Sequence, residues 1–138
     1  MASNFSLFTM SFNWTAQPTN PTLAIKGQDE SLTWNYSLTA DELLKSQTYY
    51  NIKWTRLTQS SSDYNTIGLK GFSIDFNQIS YNEPHTPRIV VDRHDPATLH
   101  INDVRREDEG TYKIEFKLQL GGNPIADHEV NLTVLGTF

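Results

Sequence analysis

The chain has 138 residues, 37% of them hydrophobic and 20% charged, and 11 basic against 16 acidic side chains leave a net charge of -5, which fits one globular domain. No run of consecutive apolar residues exceeds three, so the sequence contains neither a membrane span of roughly 20 residues nor a secretory apolar segment of about 7–15. An acidic balance without a Lys/Arg block argues against a nucleic-acid partner, because neutralising phosphates needs a basic face.

No stretch keeps a 3.6-residue apolar period, whereas short alternating segments recur between clusters of Gly, Pro, Asn, Asp and Ser, which predicts an all-β chain. Residues 1–10 read as an N-terminal extension and 11–138 as a single domain. Strands are predicted at 12–16 and 23–26, then at 31–38, where Leu32, Trp34 and Tyr36 share one face. Residues 41–46 read as one helical turn. A core strand follows at 49–57 with Tyr50, Ile52 and Trp54 inward, and 60–63 is a polar loop. Further strands are expected at 66–70, 72–76, 88–92 and 97–102.

The cleanest alternation runs over 111–120, with Tyr112, Ile114, Phe116, Leu118 and Leu120 on the buried face. Gly121, Gly122, Asn123 and Pro124 then signal a hairpin into 126–134, where Ala126, His128, Val130, Leu132 and Val134 point inward. About nine short strands with regularly spaced turns predict a two-sheet β-sandwich with Greek-key links. The last strand finishes at Leu135 and the sequence stops three residues later, as in a single domain cut from a longer protein.

Asp108, Glu109, Gly110, Thr111 and Tyr112 spell DEGTY, after a TLHINDVRRED run carrying Leu99, Ile101 and Val104. This resembles the signature between strands E and F of the immunoglobulin superfamily. The resemblance covers residues 12–135 and implies a tyrosine corner at Tyr112, a tight turn permitted by Gly110, and a core Trp on strand C at Trp54 in NIKWTR. Gly27 in KGQDESLTW matches the family's Gly before strand B. Arg88 matches its Arg at the start of strand D, which pairs with the Asp of the corner, here Asp108.

The family's inter-sheet disulfide falls at Trp34 and Ile114 in this chain. Closing a loop of about 80 residues by a disulfide contributes roughly 4–5 kcal/mol in the chain-entropy view. Burying an indole of ~200 Å² at about 25 cal/mol/Å² gives a similar gross figure, so a bulky apolar pair can substitute. The long interval 58–86 accommodates extra edge strands and implies the variable (V-set-like) type. The WNYSL wording of strand B and the missing cysteines are similar to immunoglobulin-like modules of cnidarian cell-surface proteins, including those used in self/non-self recognition.

The absence of Cys removes thiol catalysis and thiolate metal sites and points towards a reducing compartment. A chain with close to a third Ser, Thr, Asn and Gln points the other way. The histidines His85, His94, His100 and His128 show neither helical metal-site spacing nor a neighbouring nucleophile. Asp92, His94 and Asp95 in DRHD read as a solvated turn, as do Glu107, Asp108 and Glu109 with one structural Asp. No enzyme activity, cofactor or metal is expected.

Asn-x-Ser/Thr acceptors stand at Asn4, Asn13, Asn35 and Asn131, the last two pointing away from the core. On a variable-type fold partners dock on the sheet of strands G, F, C and C′. Its outward face here comprises Asn51, Lys53, Thr55 and Leu57 beside Lys113, Glu115, Lys117 and Gln119. The alternating Lys-Glu-Lys row can meet its own copy across a two-fold axis with opposite charges opposed.

The resemblance therefore implies a non-enzymatic extracellular domain of a longer membrane protein, acting in adhesion or recognition. Its partner is a protein, a second copy included, and the domain itself makes no membrane contact. The alternative is an intracellular structural domain of a muscle or cytoskeletal protein, which the absent cysteines favour.

Overall fold

A computed structural model describes residues 11–75, 78–82 and 87–136. Asn4, His85, the extension at 1–10 and the end of the strand expected at 72–76 lie outside them. Ten strand segments form: β1 Asn13–Ala16, β2 Thr22–Ile25, β3 Glu30–Ser37, β4 Tyr49–Thr58, β5 Asn65–Ser73, β6 Gln78–Asn82, β7 Ile89–Val91, β8 Ala97–Ile101, β9 Gly110–Lys117 and β10 Ala126–Leu135. A short helix, α1 at Ala40–Ser46, joins β3 to β4. It starts on a capping box, with the Thr39 hydroxyl accepting from the Glu42 amide and the Glu42 carboxylate from the Thr39 amide.

The segments form a four-stranded sheet, β1-β3-β8-β7, and a six-stranded sheet, β2-β10-β9-β4-β5-β6. β1 pairs antiparallel with β3, whereas β2 pairs parallel with β10, so the N-terminal strand changes sheet partway along. Counted as one strand it brings the total to nine. β5 and β6 extend the larger sheet beyond β4, within the long interval 58–86.

Alternation decides what lies between the sheets. Leu32 and Trp34 from β3, Ile52 and Trp54 from β4, Leu99 and Ile101 from β8, and Tyr112, Ile114 and Phe116 from β9 are all essentially inaccessible. Ile114 stands opposite Trp54 in the β4–β9 ladder. The Trp34 indole reaches across to the other sheet, where its Nε1–H donates to His128 Nδ1 at 3.0 Å. Trp54 Nε1 is buried with no acceptor among the described residues.

One end is closed by a charged cluster. Arg88 grips Asp108 through two hydrogen bonds of 2.8 and 3.0 Å, and Arg56 adds a third at 3.1 Å. The Arg105 amide donates a fourth at 2.8 Å. The Tyr112 hydroxyl donates to the Asp108 carbonyl at 2.6 Å, the tyrosine-corner geometry, and accepts from Arg56. Burial, the largest single influence, pushes the Asp108 carboxyl up, but bonds from Arg88, the Arg105 amide and Arg56 together hold it below its ordinary value.

Several expectations need correction. Leu120 is 86% exposed because β9 ends at Lys117 and the chain is already turning. The two strands expected at 66–70 and 72–76 are the single β5, whose ladder to β4 runs unbroken past Gly71 opposite Asn51. Gly110 has an ordinary negative φ, so it does not serve a left-handed turn. A Cβ there would lie 2.2 Å from the Leu57 carbonyl oxygen, so the glycine is required by the close approach of β9 to β4. Glu109 is not merely solvated, since its carboxylate accepts from the Val134 amide at 3.0 Å.

Candidate protein-interaction surface

The outward face of the six-stranded sheet is built by register. Lys113 stands between Glu129 of β10 and Thr55 of β4. One step along, Glu115 stands between Asp127 and Lys53, and Lys53 in turn faces Leu69 of β5. Lys117 faces Asn51, which faces Gly71. Three levels result, each crossing the sheet at strand spacings of about 4.8 Å.

These levels carry three bases, Lys53, Lys113 and Lys117, and three acids, Glu115, Asp127 and Glu129. The side chains are half-buried along β9 and β4 and exposed on β10. Among the described residues no ion pair within 4.0 Å joins Lys53, Glu115 or Lys117 to another group. Cross-strand neighbours of opposite sign thus stabilise the sheet modestly and leave their charges available outward.

Tyr64, just before β5, folds back over the first level. Its hydroxyl donates to Glu129 at 3.1 Å, and the Lys113 ammonium lies 5.3 Å from its ring centre. Thr55, expected on the face, is buried at 6% exposure. Gln119 is also displaced: it is exposed, but past the end of β9 in the hairpin. Leu57 is half-buried at the other end of β4.

The sequons divide between the two sheets. Asn13 and Asn35 are exposed on β1 and β3 of the smaller sheet. Asn131 is exposed on β10, on the same face as Asp127 and Glu129, and its Oδ1 accepts from the Thr111 hydroxyl at 2.9 Å.

Away from this face, the DRHD turn is internally bonded: the Asp92 carboxylate accepts from the His94 and Asp95 amides and pairs with the His100 ring, each at 2.8 Å. Beneath it, the buried Lys70 of β5 donates to the Asp95 carbonyl at 2.7 Å, tying one sheet to the β7–β8 turn of the other. No group of three or more His, Cys, Asp or Glu suited to a metal ion occurs among the described residues.

Sequence reasoning missed Arg56, Tyr64, Asp127 and Glu129 as parts of these arrangements. Arg56 carried a signal, because it falls on the inward phase of β4 with Ile52 and Trp54, where a charge needs a partner. The two acids lie on the outward phase of the strand that the hairpin lays beside β9. Tyr64 is a lone aromatic in a polar loop, which says nothing about where its ring goes.

No protein-family model matches the chain, and no curated protein matches it in sequence. Solved structures do. The chain is similar to murine CRIg at a TM-score of 0.65 and 19% identity, over 91% of this chain and 98% of that one. It is also similar to the extracellular domain of the voltage-gated sodium channel beta4 subunit at a TM-score of 0.65 and 15% identity, over 90% and 96% of the two chains. The fold is immunoglobulin-like. No helix among the described residues is long and apolar enough to cross a membrane.

Proposed function

We propose that this chain is a non-enzymatic binding module, an extracellular immunoglobulin-like domain of a cell-surface protein, acting in adhesion or self/non-self recognition by homophilic contact. The contact surface is the outward face of β10, β9, β4 and β5. The observation that carries this reading is the balance of that face: three acids and three bases interleave there, on a chain whose net charge is -5. A surface that must meet its own copy needs such balance, because an excess of one sign repels itself.

The likeness to the sodium channel beta4 ectodomain, described as forming parallel homodimers that explain a role in cell–cell adhesion, supports the reading. So do the resemblance of the WNYSL strand to cnidarian recognition modules and the sequons. The absence of cysteine favours the other reading, an intracellular structural domain. A reading frame with a signal peptide upstream and a membrane span downstream separates the two.

A single domain burying less than about 1,200 Å² binds weakly, and many copies on a crowded membrane supply avidity. Sedimentation at high concentration is expected to show weak self-association of the wild-type domain. Replacing Lys113 and Lys117 together by Glu leaves five acids and one base on the face, and is expected to abolish that association and the clustering of coated beads while the fold survives. A strictly monomeric wild type, with bead clustering unchanged by the double variant, would count against homophilic contact through this face.

A further inference from the structure

The register of the outward face restricts how two copies can meet. In a face-to-face two-fold pair the axis lies in the contact plane, and its two limiting directions are along the strands and across them. An axis across the strands sets each strand against its own copy. Centred on Glu115, it opposes Glu115 to Glu115, Asp127 to Asp127, Lys53 to Lys53 and Lys113 to Lys117, all like charges. Moved half a step towards Lys113, it brings Lys113 opposite Glu115 but Asp127 opposite Glu129. Like charges placed opposite each other cost several kcal/mol at an interface.

An axis along the strands, running between β4 and β9, keeps each level and exchanges the strands. Glu115 then faces the partner's Lys53 and Lys53 faces the partner's Glu115. Lys113 and Lys117 meet Thr55 and Asn51, and Asp127 and Glu129 meet Leu69 and Thr66, so no like charges oppose. Glu115 and Lys53 are already direct cross-strand neighbours. The two copies therefore complete a square of four alternating charges at strand-spacing distances. Tyr64, 37% exposed, with its ring beside Lys113 and its hydroxyl on Glu129, adds an aromatic group to the shared face.

We infer that self-association, on which this rests, pairs two copies with their strands running in the same direction about an axis between β4 and β9, and that Glu115 and Lys53 form its reciprocal ion pairs. Among axes across the strands, one also avoids like charges: half a step towards Lys117, it sets Glu115 against the partner's Lys117. There the alternating charges within one copy sit two residues apart along a strand, about 6.8 Å, rather than on neighbouring strands at about 4.5–5.5 Å. The square is looser.

Charge exchange separates the two by sedimentation. Lys53→Glu and Glu115→Lys are each expected to weaken dimerisation about ten-fold or more, and the double variant carrying both is expected to restore the wild-type Kd to within about three-fold. Restoration instead by Glu115→Lys with Lys117→Glu, with none from the Lys53 exchange, overturns this geometry and leaves homophilic contact standing. A wild type that never dimerises overturns both. Circular dichroism on each variant, all altered at solvent-facing positions, checks that folding is retained.

Discussion

Trp34 and His128 join the two sheets directly: the indole Nε1–H of β3 donates to the imidazole Nδ1 of β10 at 3.0 Å. The bond requires His128 to present Nδ1 as an acceptor, which fixes its proton on Nε2. Replacing His128 by Phe leaves a buried N–H without a partner and is expected to cost about 1–3 kcal/mol. Trp34→Ala is expected to cost about 3–5 kcal/mol, enough to unfold a marginal domain. Urea midpoints measure both.

Trp54 provides the contrast. Its Nε1–H is buried without an acceptor among the described residues, so Trp54→Phe removes a donor that none of them satisfies, along with part of the ring area. Trp34→Phe removes a paired one. The Trp54 variant is expected to be the more stable of the two, and equal or reversed urea midpoints would contradict that assignment.

Asp108 makes stability depend on acid. Its folded pKa lies below the unfolded value, so its contribution is fully present above the ordinary carboxylate range and is lost as pH falls through the folded pKa. Asp92 behaves in the same sense, held low by the Asp95 amide, the His100 ring and the His94 amide. Urea midpoints should therefore fall from about pH 5 downward. Asp108→Asn, by removing the buried carboxylate that Arg88 and Arg56 share, is expected to cost about 3–5 kcal/mol at neutral pH and to flatten the acid slope.

Much of the fold was legible because its signals are local. Alternation over 111–118 fixed the buried face of β9, and DEGTY pointed to the corner that Tyr112 and Asp108 make. What escaped depends on long-range placement. Nothing in the residues around Tyr64 says that its ring lies beside Lys113 and that its hydroxyl reaches Glu129 of β10. Gly110 was located correctly but given the wrong reason: the sequence shows a glycine, and only the pairing with Thr58 shows that the neighbouring backbone leaves no room for a side chain.

Gly110→Ala tests that reason directly. With the Leu57 carbonyl where the methyl must go, β9 has to move from β4 at the corner. A loss of about 1–3 kcal/mol is expected, as for overpacking elsewhere. Hydrogen exchange should rise at Thr58 and Gly110 before it rises at Ile52 and Phe116, because the disturbance starts at one end of the ladder.

Asn131 shares the face with Asp127 and Glu129, so a glycan there would stand beside the contact surface. Protein made in glycosylating cells is expected to cluster beads less than protein made without glycans. Asn131→Gln should abolish the difference, and Asn35→Gln, on the other sheet, should not.

The charge distribution has a consequence for ionic strength. Since the contact face is neutral, the entire -5 belongs to the remaining surface, and two copies approaching at low salt repel over a Debye length of about 30 Å at 0.01 M. Moderate salt removes this long-range barrier while leaving close pairs largely intact. Near 1 M, where the length is about 3 Å, the pairs themselves are screened. Self-association should therefore pass through a maximum as salt is raised, which neither a purely apolar contact nor one between oppositely charged partners would show.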